Sequence, residues 1–228
     1  MLQFQELTSQ HGAQLRRYYE TCDYRLCEYS LGVKLMWRGY LHPSFAETAG
    51  CLIIRNCIEG EYVFDYPITG TDGDTEGALR AIESWCSQKG LPLVLSVVPE
   101  DKAAQLVLRY PRCRVISERP WKDYLYRTEE LAAFAGRRYS GQRNHINKFR
   151  RDYPDAEFTP LIDDADPRLT TFWQDYAAEF HKSGPLAVQE LVLAQEMFSL
   201  IGTGWFCAGG MLAEGRLVAV CLAEKCGG

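Results

Sequence analysis

The spacing of apolar residues changes along the chain, and each change predicts an element. The run CLIIRNCIEGEYVFDYPIT, ending at Thr69, is dense in β-branched and aromatic residues on both sides of Glu59-Gly60, which predicts two strands joined by a tight turn. A Gly/Asp-rich loop follows. DTEGALRAIESWCSQKG then takes helical spacing: Leu79, Ile82 and Cys86 share one face, Asp74 or Thr75 stands at the capping position, and Gly90 ends the run. LPLVLSVV, closed by Pro99, reads as a buried strand, and DKAAQLVLRY as a short helix stopped by Pro111. CRVISE and DYLYR read as further strands. Alternating strand and helix predicts an α/β (α+β) class with mixed sheets.

The second half repeats part of this order. AEFTPL is a strand candidate, and DPRLTTFWQDYAAEFHKS puts Leu169, Phe172, Trp173, Tyr176 and Phe180 on one helical stripe. A further helix begins at Pro185, which suits a first-turn position. GWFCAGGMLAEGRLVAVCLAEK is another hairpin built on Glu-Gly. No strand or helix follows it, so the second unit is expected to be incomplete, with an uncovered hairpin that favours marginal stability or a homodimer.

Between the halves, Ser140 can cap a helix running to about Arg151. Ile146, Phe149 and Tyr153 cluster on one side of it as an anchoring face. The opposite arc carries Arg143, Asn144, Asn147, Lys148, Arg150 and Arg151, and Arg137 and Arg138 lie just upstream. Residues 137–151 hold six basic side chains and no acid, so a net charge of −5 leaves −11 for the rest of the chain. Three readings account for this. The patch is a solvated face paired with acids such as Asp163, Asp164 and Asp166, or a nucleic-acid contact in which Arg and Lys take phosphates, or a seat for a small anion such as coenzyme A phosphates or a lipid headgroup.

Composition narrows the classes. With 46% hydrophobic and 24% charged residues in 228, the chain is that of a globular protein with a real core. Its longest apolar runs fall well short of the roughly 20 residues that span a bilayer, and the N-terminus has neither the basic nor the apolar region of a secretory signal. No transmembrane segment and a cytoplasmic location are expected. Nine scattered cysteines, with no C-x-x-C pair, point to reduced, buried thiols rather than to a metal site. The phosphate-cradle, dinucleotide, zinc-protease and serine-hydrolase motifs are absent. The glycine-rich loop at 69–77 carries Asp72, Asp74 and Glu76, which would repel a pyrophosphate, so it reads as a capped turn.

The order of these features resembles one family. DYPITG, then KDYLYRTEELAAFAGRRYSGQRNHINKFRRDYP, then a helix with Gln189-Glu190, then GMLAEGRLVAVCLAE, is similar to bacterial proteins related to the C-terminal domain of phosphatidylglycerol lysyltransferases. The segment from Asp123 to Pro154 carries the likeness most specifically. The resemblance implies tandem acetyltransferase-like (GNAT-type) units: a first over residues 1–128, connecting basic helices over 129–155, and an incomplete second unit over 156–228. It further implies acyl transfer from an aminoacyl-tRNA to an acceptor, with Arg137, Arg138, Arg143, Asn144, Asn147, Lys148, Arg150 and Arg151 as the anion or RNA contact. Glu190 and Glu224 are candidates for polar or proton-transfer roles, against a simpler reading as solvent-facing residues. A non-catalytic RNA- or anion-binding module and a coenzyme A-dependent N-acyltransferase using an acyl-coenzyme A donor are the alternatives. No cofactor is otherwise implied.

Overall fold

The computed structural model describes residues 2–180 and 185–226. The described residues form eight strands: β1 (Gln5–Glu6), β2 (Ser44–Thr48), β3 (Cys51–Ile58), β4 (Glu61–Phe64), β5 (Ile68–Thr69), β6 (Glu157–Leu161), β7 (Phe206–Ala213) and β8 (Arg216–Glu224). The helices are α1 (Gly12–Tyr19), α2 (Leu31–Met36), α3 (Arg38–Leu41), α4 (Thr75–Lys89), α5 (Glu100–Arg109), α6 (Thr128–Ala133), α7 (Ser140–Asp152), α8 (Pro167–Phe180) and α9 (Pro185–Phe198). The chain divides into two compact units, one of Met1–Ile116 with Glu224–Gly228 and one of Ser117–Ala223.

The first unit is built on an antiparallel sheet ordered β1-β2-β3-β4, with β5 also pairing β3. Its two hairpins have two-residue loops in which both central residues take positive φ, Ala49-Gly50 at 50° and 68° and Glu59-Gly60 at 53° and 87°. That backbone matches the twist of the flanking strands, which is why short hairpins favour it. Glu-Gly was legible as a turn; Ala-Gly, and with it β2, was not. Ala46, Ile53 and Phe64 bury one face of the sheet against Ala78, Ile82, Trp85 and Cys86 of α4. Ile53, Phe64 and Ile82 each contribute about 1.5–3 kcal/mol by leaving water. On the other face Phe45, Leu52 and Ile54 are equally buried, so residues 51–54 of β3 read as a continuous apolar run, because both faces of the strand are covered there.

Several expectations are corrected here. LPLVLSVV forms a single parallel bridge, Leu95 beside Phe64, and no strand. Pro92 lacks a donor and Val97 turns to φ 26°, so the ladder cannot extend in either direction. CRVISE and DYLYR form no strands either: Val115, Ile116, Tyr124 and Leu125 are exposed, and β-propensity without a neighbouring edge makes no sheet. The sheets are antiparallel rather than mixed, and parallel pairing among the described residues is limited to isolated bridges.

The second unit has the sheet order β6-β7-β8, closed at Glu214-Gly215 by a third loop with positive φ at both positions. Leu161 and Leu217 of the sheet pack with Leu169 and Phe172 of α8, Phe198 of α9 and Ile201. The aromatic stripe on α8 behaves as its spacing predicts: Phe172 is buried, Trp173 half-buried and Tyr176 more exposed. The side chain of Phe180 lies outside the described residues.

Candidate functional site

The basic stretch folds as a 3-10 turn, Arg137–Tyr139, leading into α7. Gly136 opens the turn at φ 88°, a conformation that strains any other residue. Ser140 is the first helical residue and not the cap; Tyr139 holds that position, because the 3-10 turn already supplies the preceding carbonyls. Tyr139 anchors the turn, with its ring buried against Phe134 at 5.5 Å and its hydroxyl 3.3 Å from a Glu130 carboxylate oxygen. The anchoring face is shallower than its spacing suggested. Ile146 and Phe149 are half-buried, Tyr153 is exposed, and no residue of α7 is fully buried.

The cations divide by their partners. Arg143 is a structural residue: its guanidinium donates to the carbonyls of Phe134 and Gly136, closing the end of α6. Arg138 pairs with Glu130 at 2.6 Å and stacks over the Tyr139 ring. Arg151 lies 3.5 Å from Asp152. Arg137, Asn144, Asn147, Lys148 and Arg150 are exposed. The pairing with Asp163, Asp164 and Asp166 does not form: Asp166 holds Arg168, and Asp163 accepts from the amide of Ala165. Exposed Asn144, Asn147 and Lys148 sit three to four residues apart, so they share one face of α7.

The two glutamates separate. Glu190 is exposed on α9. Glu224 is not a solvent-facing strand residue: its carboxylate accepts from Ser30 Oγ at 2.6 Å and from the amides of Leu31 and Gly32 at 3.1 and 2.7 Å. Those amides open α2, where the first N–H groups have no helical partner, so a carboxylate satisfies them well.

Sequence reasoning missed the neighbouring polar centre of the first unit. Lys34 Nζ lies 2.5 Å from Asp65, and Asp65 also accepts from Asn56 Nδ2 at 3.0 Å and Ser96 Oγ at 3.3 Å. Lys34, Asn56 and Asp65 are almost wholly buried, and the Asn56 carbonyl oxygen has no hydrogen-bond partner. Tyr29 donates its hydroxyl to the Val97 carbonyl at 2.6 Å. Burial pushes the Tyr19 phenol well above its usual range, and the negative charges of Asp65 and Glu224 add to this. Burial also pushes the Cys22 thiol up to about 11, which keeps it protonated and inert. The signal available in sequence was a lysine inside the apolar run LGVKLM, an arrangement that a surface lysine shares.

The sequence profile of the family described as phosphatidylglycerol lysyltransferase, C-terminal, matches residues 19–228. The chain belongs to this family. A crystal structure of a conserved protein of unknown function from Bacteroides thetaiotaomicron has the same fold: it superposes with a TM-score of 0.81 at 23% identity, over 100% of this chain and 77% of that one. No curated protein sequence matches. Among the described residues, no helix is long and apolar enough to cross a membrane.

Proposed function

We propose that this member of the phosphatidylglycerol lysyltransferase C-terminal family is an acyltransferase that moves an aminoacyl group from a charged tRNA to a small acceptor. Family membership over residues 19–228 carries the reading. The exposed polar face of α7 supports it, because its cations and amides suit a ribose-phosphate chain. In this reaction the acceptor's amine or hydroxyl attacks the ester carbonyl and loses its proton. The ester C–O bond breaks, and the 3′-terminal ribose oxygen leaves as the hydroxyl. The contribution of α7 is to position the donor, with Arg137, Lys148 and Arg150 on phosphates and Asn144 and Asn147 on 2′-hydroxyls or base edges. Glu224 is committed to the start of α2, so it acts as a positioning residue; Glu190 keeps an exposed carboxylate for proton transfer.

We read both units as acetyltransferase-like, the first over residues 1–128 and the second over 156–228, with basic helices between them. In the first, an antiparallel meander leads through α4 to a parallel contact at Phe64 and Leu95, the order expected of such a unit.

Binding of unfractionated tRNA over a salt series tests the reading. The intact chain is compared with a variant in which Arg137, Lys148 and Arg150 are all alanine. Wild-type binding whose log K falls with log salt, and a variant whose slope is shallower by about 2–3, agree with three phosphate contacts. Equal binding by both proteins, or none by either, removes α7 from the mechanism. Transfer of radiolabel from aminoacyl-tRNA to a pool of amines and hydroxy compounds then tests the chemistry itself.

A further inference from the structure

Arg55 and Asn56 are neighbours on β3, and the two-residue period of a strand sends them to opposite faces of the sheet. Asn56 joins the Lys34–Asp65 centre. Arg55 enters the face covered by α4, where its guanidinium carbon lies 4.2 Å from the ring centre of Phe4, 4.6 Å from that of Tyr62 and 5.2 Å from that of Trp85. Phe4 and Tyr62 each meet Trp85 edge-on, at 5.7 and 5.5 Å, so the rings brace one another and form a firm wall.

Among the described residues, the charge inside this wall has no counter-ion. Arg55 Nε donates to Ser44 Oγ at 3.0 Å, and no carboxylate of a described residue lies within ion-pair distance. Glu6 stands in the same cross-strand row, beyond Ser44, and makes no ion pair with it. Two other part-buried arginines are neutralised: Arg109 has Glu76 and Glu83, and Arg168 has Asp166. Burial holds the Arg55 guanidinium below its usual pKa, with only the weaker influence of Tyr62 and Cys57 opposing it.

We propose that Arg55 and its ring wall form a binding site for a small oxyanion, a carboxylate or a phosphate, gripped by the Nη fork of the guanidinium. With Nε used on Ser44, four N–H donors remain in a plane fixed by the rings, the geometry that takes two oxygens at once. Arg55 is only half-buried, which leaves part of its side chain open to solvent. Tyr62, partly exposed at the edge of the wall, offers an apolar surface to whatever carries the anionic group. The site belongs to the first unit, whereas α7 belongs to the second.

Intact protein is titrated with sodium phosphate and, separately, with sodium benzoate, both against sodium chloride at equal ionic strength. The readouts are tryptophan fluorescence, because Trp85 forms part of the wall, and the rate of phenylglyoxal modification at Arg55, read by peptide mass spectrometry. Saturable fluorescence change and several-fold slower modification of Arg55 with either anion, beyond the chloride control, is the expected result; which anion acts identifies the ligand as phosphate or carboxylate. Arg55→Met, which keeps the stem and removes the fork, is expected to weaken binding by more than about tenfold, the loss of one strong charged hydrogen bond or more. If that variant does not fold, the modification rate in wild type decides alone. No protection of Arg55 by either anion, or a folded Arg55→Met that binds as wild type does, overturns the proposal and leaves a purely structural cation–ring stack.

Discussion

Lys34 Nζ and a carboxylate oxygen of Asp65 stand 2.5 Å apart, and both side chains are almost completely withdrawn from solvent. Such a pair need not add much to stability over two apolar residues, but removing one partner leaves a charge buried and uncompensated. Lys34→Met is therefore expected to cost about 3–5 kcal/mol in urea denaturation. Lys34→Met with Asp65→Leu is expected to recover part of that loss. A single substitution costing less than about 1 kcal/mol would place the pair among solvent-screened contacts, contrary to its burial.

The contact of Glu224 with Ser30, Leu31 and Gly32 ties the last residue of β8 to the first turn of α2. Glu224→Ala removes the acceptor of two backbone amides and is expected to cost about 1–3 kcal/mol. Hydrogen exchange should report it locally, with the Leu31 and Gly32 amides exchanging faster while those of β3 change less. Unaltered exchange at these two amides would show that the carboxylate does not hold them in solution.

Within the basic stretch, stability and binding should separate residue by residue. Arg143→Ala loses charged hydrogen bonds to the Phe134 and Gly136 carbonyls and is expected to lower stability by about 1.5–3 kcal/mol. Lys148→Ala and Arg150→Ala change exposed positions and should stay within about 0.5 kcal/mol of wild type. Thermal melts of the three variants decide this. Equal loss in all three would mean that the exposed cations have structural partners.

Alkaline pH should destabilise the first unit. Burial raises the Cys22 thiol to about 11 and raises the phenols of Tyr19 and Tyr29, so each group keeps its proton in the folded state beyond the pH at which the unfolded chain loses it. This stability is fully present below the ordinary thiol and phenol values of 9.0 and 10.0 and falls as pH rises through the raised ones. The urea midpoint is expected to drop between pH 8 and pH 10.5. At pH 8, Cys22 should react with a thiol reagent much more slowly than exposed Cys113, Cys207 or Cys221. Comparable rates would show that the Cys22 pocket opens readily.

How far the sequence could be read follows from the range of each interaction. Helices α4, α7 and α8 were legible because caps, glycine stops and a 3.6-residue apolar period are local signals, and so were both Glu-Gly turns. β2 was missed because SFAET is short and Ala49-Gly50 is a weak turn signal. CRVISE and DYLYR failed in the opposite direction, having the composition of strands but no edge to pair with.

The site divides in the same way. The sequence by itself determined where positive charge concentrates, that the stretch carrying it is helical, and, through an ordered set of motifs, the family to which the chain belongs. Only the tertiary structure decided which cations are used up: Arg143 on backbone carbonyls, Arg138 on Glu130, and Lys34 on Asp65, 31 positions away in the chain. It also made Glu224, at the end of β8, the anchor of α2 and set Arg55 among three rings. Charge and helical period belong to residues and their near neighbours, whereas the partner of a buried charge depends on which segments the fold brings within a few ångströms.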